Sequence, residues 1–400
     1  MNPHLIYLDN NATTAVAPEV LEAMLPYLRD QYGNPSSMYS FAGVSAKAVA
    51  RAREQVASLL GAHPEEIIFT SCGTESDSAA ILGAFEAQPG KRHFITSRVE
   101  HSAILAVGQH LERKEFQVTY LDVDEHGRLD LAQLDKAMAP ETGILSLMYA
   151  NNETGTVFPV AEAAAMARDR GIPLHVDAVQ AVGKIPIDLS TLPLDYLAMS
   201  GHKLHAPKGV GVLYVRKSAP FRPFLRGGHQ ELDRRAGTEN VPYIVGLGAA
   251  CELAASHIQD ENTRVKFLRD TLEAGLLNTI PGVRVNGDVA DRLPNTTNVS
   301  FKHVEGEAIL LLLDQEGVCA SSGSACTSGS LEPSHVLQAM GVPLAYAHGS
   351  VRLSLSRYTT EAEIDKVLEI FPRIIKRLRE RSPYHDLPDE EHLFSQEDAR

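Results

Sequence analysis

The sequence predicts an α/β protein: a largely parallel sheet with helices on both faces, then a smaller α+β unit. Three observations carry this. From Ile67 to Asp177, short apolar runs alternate with segments of helical spacing, the rhythm of repeated strand–helix–strand units. The chain has 400 residues, more than one compact core usually holds. From Val283 onward the strand-like runs lie further apart, with helices between them.

The elements follow in order. An apolar run, Leu5 to Leu8, leads into a polar turn, Asp9 to Thr14. Pro18 to Leu28 has helical spacing, with Pro18 in the first turn. Gly33 to Ser37 breaks the pattern, and Val44 to Leu60 is a long amphipathic helix ended by Gly61. Strands are expected at Ile67 to Thr70, His93 to Thr96, Gln117 to Leu121, Ile144 to Tyr149 and Leu174 to Asp177. Between them, helices are expected at Glu75 to Ala87, Ser102 to Lys114, Leu129 to Met138 and Val160 to Arg170. Tyr196 to Met199 and Gly211 to Val215 read as two more strands. Val241 to Ala255 and Ile258 to Leu277 read as two helices joining the units. Val283 to Asn286, Thr297 to Phe301, Val318 to Ser321 and Val351 to Leu355 read as strands, and Thr360 to Arg379 as a helix. The acidic tail after Ser382 is expected to be loosely ordered.

Composition narrows the function. Hydrophobic residues make up 44% and charged residues 22%, as in a globular protein. No uninterrupted apolar run approaches the roughly 20 residues needed to cross a bilayer, and no basic segment leads into an apolar stretch at the N-terminus. The expected compartment is the cytosol. A net charge of −14 argues against non-specific binding to nucleic acid or membrane. Four cysteines, Cys72, Cys251, Cys319 and Cys326, show no C-x-x-C spacing, which favours free thiols over a disulfide framework or a zinc site.

The chain is best organised around Ser200-Gly201-His202-Lys203. A lysine after a buried strand, beside small residues, suits a Schiff-base nucleophile. Other polar motifs also fall at strand ends, where ligands of open α/β sheets bind. Cys72-Gly73-Thr74-Glu75-Ser76 enters a helix and suits either an anion or an ordinary cap by Thr74 or Ser76. His101 is placed to stack on a flat ring and move protons, or to cap the helix after it. Asn151 to Gly155 is a turn after a strand. Asp177, at the end of an apolar strand, needs a cationic or hydrogen-bonding partner, and Gln180 follows three residues on. Four histidines, His175, His202, His205 and His229, lack metal-ligand spacing. Ala320 to Gly329 is a run of small residues around Cys326; it predicts a mobile loop carrying an accessible, nucleophilic thiol. Arg352 and Arg357 lie on or beside a strand, where an arginine can hold a carboxylate bidentately.

Taken in order, these motifs resemble a known family. The set is Tyr7 to Thr14, Gly33 to Ser37, Thr74 to Ser76, Glu100-His101, Asn151 to Gly155, Asp177 to Gln180, Ser200 to Lys203, Arg235 to Asn240, Ser322 to Cys326 and Arg352 to Leu355. It is similar to the class V, fold-type I enzymes that use pyridoxal 5'-phosphate (PLP). Within them it resembles the cysteine desulfurases, above all those of nitrogen fixation. The resemblance implies a mainly parallel seven-stranded sheet in a large domain, 14–256. Residues 1–13 and 257–400 would form the small domain that carries the Cys326 loop. It implies that Lys203 bears PLP, that His101 stacks on the ring, that Asp177 pairs with the ring nitrogen and that Gln180 meets the ring oxygen. Gly73, Thr74, Ser200 and His202 would bind the phosphate, with Thr238 supplied to the neighbouring subunit of a homodimer. Asn152 and Arg352 would hold the carboxylate of L-cysteine, Lys203 would move the α-proton, and Cys326 would take the sulfur as a persulfide, leaving L-alanine. The implied acceptor is an iron–sulfur scaffold protein; no resident metal is implied, although Cys326 could touch a transferred cluster. The rival readings are a PLP aminotransferase or lyase with Cys326 incidental, and a non-catalytic sulfur-transfer scaffold.

Overall fold

The computed structural model describes residues 5–322 and 333–382. Twelve strands are formed among them: β1 (Ile6–Tyr7), β2 (Ile67–Thr70), β3 (His93–Ser97), β4 (Gln117–Leu121), β5 (Thr142–Met148), β6 (Leu174–Asp177), β7 (Tyr196–Ser200), β8 (Gly211–Val215), β9 (Val283–Asn286), β10 (Thr296–Phe301), β11 (Val318–Cys319) and β12 (Ser350–Ser354). The principal helices are α1 (Pro18–Arg29), α2 (Ser40–Leu60), α3 (Gly73–Ala87), α4 (Ser102–Glu112), α5 (Leu131–Ala137), α6 (Val160–Asp169), α7 (Val241–Asp260), α8 (Lys266–Thr279), α9 (Gly306–Gln315), α10 (His335–Ala339), α11 (Leu344–Ala347) and α12 (Glu361–Arg379).

The main sheet has seven strands in the order β2-β8-β7-β6-β5-β3-β4. β4, β3, β5, β6 and β7 run parallel, and only β8 is antiparallel to both its neighbours. Because strand side chains alternate, each strand feeds two cores. Leu197 and Met199 of β7 join Val212 and Tyr214 of β8 in one apolar cluster, which also takes in α1, α2, α6 and α7. Tyr196, Leu213 and Val215 point the other way, against Ala80, Ala84 and Phe85 of α3 and Ile104 of α4. Helices thus cover both faces, as a buried parallel sheet requires.

A separate apolar cluster gathers β10, β12, α8, α9 and α12 around Phe301, Leu353 and Phe371. Its sheet, β12-β10-β9, is antiparallel. The N-terminal strand β1 pairs in parallel with β11 there, so the chain begins against the small core and then crosses to the large one.

Several element ends differ from the sequence expectation. The helix expected from Val44 begins at Ser40. The helix expected from Leu129 begins at Leu131, because Asp130 caps it by accepting from the Ala132 N–H at 2.8 Å. The expected strand Val318 to Ser321 keeps only Val318–Cys319 as regular strand, with Ser321 bridging to Arg352. The two expected joining helices are one continuous helix, Val241–Thr279. No Gly or Pro lies between Ala255 and Ile258 to stop it, and a π-helical turn, Glu261–Val265, absorbs the change of register. By length and composition this helix is apolar enough to cross a membrane. Its first part packs against α1 and α2, burying Ile244, Leu247 and Cys251.

Candidate active site

The site starts from strand ends. β6 ends at Asp177, and β7 ends at Ser200, from which a single 3-10 turn, Gly201–Lys203, presents Lys203. Asp177 is buried, and its Oδ1 accepts from the Val179 N–H at 2.9 Å. Burial raises its proton affinity, while the fields of His101 and Lys203 act the other way. Ser200 is also buried, and its Oγ has no hydrogen-bond partner among the described residues.

Helix α3 opens against this end of the sheet. Cys72 holds the N-cap position and makes no side-chain capping bond. Thr74 is exposed, and Ser76 turns inward to Thr70 Oγ1 at 2.8 Å and to the Cys72 carbonyl, so neither residue caps the helix end. The backbone N–H groups of the first turn therefore face outward with the positive end of the helix dipole behind them. Gly73 must be a glycine here, since a Cβ would stand 2.8 Å from Val179 Cγ2 and 3.6 Å from the Ser200 Cβ.

His101 does cap its helix. Its Nδ1 accepts from the Ala103 N–H at 3.2 Å, so the ring carries its proton on Nε2. Burial lowers its proton affinity, opposed by Asp177 and reinforced by Lys203 and His335. Two acids lie behind it: Glu100, which the motif set contains without a role of its own, and Asp77, which the sequence does not single out. Glu100 is fully buried, bonded to Ser97 Oγ at 2.7 Å and the Met148 N–H at 3.1 Å, and burial pushes its carboxyl up to about 8. Asp77, buried near His175, is raised well above the usual carboxylate range by burial and then by Asp177 and Glu100. The four histidines considered for a metal are dispersed. His175 bonds Ser146, His202 bonds Thr13, His205 bonds the Ala15 carbonyl, and His229 pairs with Asp233.

The N-terminal turn, a polar connection by composition and the first member of the motif set, roofs the site. Lys203 Nζ donates to the carbonyls of Asn11 at 2.6 Å and Ala12 at 2.7 Å. Gln180 Nε2 donates to the same Asn11 carbonyl at 3.0 Å. The Asn11 side chain reaches Thr296 Oγ1 at 2.8 Å and the Asn152 carbonyl at 3.3 Å. Arg352 Nη1 donates to that Asn152 carbonyl at 2.9 Å, and its Nη2 pairs with Asp9 at 3.0 Å. Arg352 Nε is buried and has no partner among the described residues. Asn152 and Arg352 are thus brought together, whereas Arg357 lies further along, stacked on Tyr358.

Cys326 lies outside the described residues, but the chain on either side of it can be followed. Ser321 Oγ donates to Asp9 at 2.8 Å, next to Arg352. Ser334 Oγ donates to Glu153, and His335 Nε2 meets the Glu100 carbonyl at 3.0 Å, beside His101. Thr238 is exposed on the segment before α7 and lines a surface cavity with Ser71, Gly209 and Arg235. The Arg235 guanidinium pairs there with Glu75 at 2.8 Å.

Comparison with known proteins decides the family. The family described as Aminotransferase class-V matches residues 6–367. The chain belongs to the class-V aminotransferase family, among its cysteine desulfurases. The cysteine desulfurase of Trichormus azollae is 61% identical over 380 residues, covering 95% of both chains. Cysteine desulfurase NifS of Azotobacter vinelandii is 56% identical, covering 95% of this chain and 94% of its own. A solved structure of a NifS-like protein is 40% identical, with a TM-score of 0.88, covering 94% of this chain and all of that one. The fold-type I architecture and the assignment as a cysteine desulfurase enzyme are therefore shown.

The family's cofactor is PLP, and the residues present fit it. Asp177 is a buried carboxyl whose ionised form wants a cation, which a protonated ring nitrogen supplies. Ser200 Oγ is an orphaned buried hydroxyl, and the α3 N-terminus is an uncapped anion cradle closed by a glycine.

Proposed function

We propose that this cysteine desulfurase converts L-cysteine to L-alanine with PLP and leaves the sulfur as a persulfide on Cys326. Bound PLP supplies an electron sink for the carbanion formed at the substrate's α-carbon. Lys203 bears the cofactor and moves the α-proton. Asp177 holds the ring nitrogen protonated, and His101, with its proton on Nε2, covers the ring and exchanges protons near the sulfur. Gly73, Thr74, Ser200 and His202 bind the phosphate. Gln180 now donates to the Asn11 carbonyl, and we take it to reach the ring oxygen from there. Arg352 and Asn152 receive the substrate carboxylate.

The sulfur step balances without an outside oxidant. The Cys326 thiolate attacks the substrate sulfur, an S–S bond forms as the C–S bond breaks, and the electron pair stays with the carbon skeleton. Protonation then completes alanine. The observation that carries this reading is the anchoring of both ends of the Cys326 segment beside the site, Ser321 at Asp9 and His335 at Glu100.

We further propose a homodimer in which the exposed Thr238 serves the partner's phosphate. The proposed acceptor is an iron–sulfur scaffold protein, with nitrogenase clusters as the destination. We place the enzyme in the cytosol, where a thiol nucleophile stays reduced. The division into 14–256 and 1–13 with 257–400 is proposed on the separate apolar clusters, although Leu293, Val336, Leu337, Met340, Val342 and Ala347 pack with the large one. The deciding experiment is mass spectrometry after L-cysteine. The peptide carrying Cys326 should gain the mass of one sulfur, and Cys326→Ala should abolish sulfide release. Retained turnover in that variant would instead make Cys326 incidental and the chain a lyase or aminotransferase.

A further inference from the structure

One buried lysine has no part in the chemistry above. Lys184 is 6% exposed, in the turn after β6. Its Nζ donates to Gln180 Oε1 at 2.9 Å and to Asn11 Oδ1 at 3.2 Å. The carbonyl of that same Asn11 accepts from Lys203 Nζ at 2.6 Å and from Gln180 Nε2 at 3.0 Å. Lys184 and Lys203 are therefore separated by a single residue, held from both sides.

The surroundings of Lys184 are charged. Lys203 reaches it from the turn after β7, Arg352 from β12 and Glu261 from the π-helical turn. Lys184 and Lys203 also line a cavity with His205, His257, Glu261 and Arg357. Glu261 is buried, and its Oε2 has no partner among the described residues. The backbone of Lys184 is tied to the same turn, because Asn262 Nδ2 donates to its carbonyl at 2.8 Å. Burial and Lys203 push the Lys184 amine down to about 7, with Glu261 acting as the counter-charge.

We propose that Lys184 is a positioning residue for Lys203: it fixes Asn11 and Gln180 around the Lys203 nitrogen, and while it is protonated its charge lowers the proton affinity of that nitrogen. A surface lysine would be screened by water. This one is buried and hydrogen-bonded into the roof that holds Lys203, so its charge acts through a low dielectric. Removing it leaves Lys203 with one fewer like charge nearby, which favours the protonated form.

The inference rests on Lys203 bearing the cofactor, and the test separates the two claims. Borohydride reduction of the full-length holoenzyme followed by peptide mapping identifies the lysine joined to PLP. If that lysine is not Lys203, the functional reading fails and this inference with it. The visible absorbance of the bound cofactor is then titrated with pH in the wild type, Lys184→Gln and Lys184→Arg. The midpoint should rise by about one pH unit in Lys184→Gln, about tenfold in proton affinity, and return toward the wild-type value in Lys184→Arg. Lys184→Met, which keeps a stem of similar length without a charge, reads the same shift should the amide variant not fold. An unmoved midpoint in these neutral variants, with the cofactor on Lys203, overturns the inference. So does an equal rise in Lys184→Arg.

Discussion

Beneath the site, Ser200 Oγ and Glu100 Oε2 are buried without a hydrogen-bond partner among the described residues, and Asp77 Oδ1 and His175 Nε2 face each other at 3.5 Å. Above it, Asn11 alone binds Ser354, Thr296, Asn152, Lys184, Asn295, Lys203 and Gln180. The floor and the roof therefore store different things. An unpaired buried group is costly by itself, about 1–3 kcal/mol, and becomes favourable when a ligand completes it. A saturated hydrogen-bond hub is favourable already, and it holds the two cores together across the site. The floor is built to receive a ligand, and the roof to stay put.

The sharpest way to break this contrast is at the floor. Asp177→Asn should lower kcat by about 100- to 1,000-fold, the usual cost of losing one aimed charge, with little loss of stability in urea. A comparable loss of stability would mean that Asp177 belongs to the scaffold. The roof should fail in the opposite sense. Asn11→Ala removes four side-chain bonds and leaves Lys184 and Asn295 one partner fewer each, so unfolding stability should drop by about 2–4 kcal/mol. Urea denaturation of the holoenzyme reads this directly.

A third substitution probes where the two regions meet. Arg352→Lys keeps the charge but loses the planar fork toward Asp9 and Asn152. KM for L-cysteine should rise about tenfold with kcat less affected, as for a group that binds substrate and transition state alike.

The smallest effect concerns pH. Burial holds the Glu100 carboxyl protonated up to about 8 in the folded chain, whereas the unfolded chain loses that proton near the ordinary glutamate value. Across that window the folded state binds more protons, so Glu100 makes stability fall as pH rises. Glu100→Gln, which cannot titrate, should flatten that part of a melting-temperature profile. An unchanged slope would mean that Glu100 is ionised in the fold.

Much of the floor was legible in the sequence. Asp177, Ser200 and Lys203 each follow an apolar strand, and a strand's carboxyl end is where such folds bind ligands. The roof was not legible. Asp9 to Thr14 has the composition of any polar turn, and nothing in it says that Asn11 will meet a lysine more than 190 positions away. Lys184 was passed over for the same reason. Glu100 enters the motif set only as the neighbour of His101, without a role of its own.

By itself the sequence determined the strand–helix alternation, the parallel sheet and the residues at its strand ends. These depend on local periodicity and on side chains close together in the chain. Only the tertiary structure decided that α3 is left uncapped and that α7 and α8 are one helix. It also decided that Asn11 joins Lys184 to Lys203 and meets Arg352 at the Asn152 carbonyl. Those outcomes depend on which buried polar groups find partners across long separations, and hydrogen-bond satisfaction is a property of the packed chain rather than of any segment.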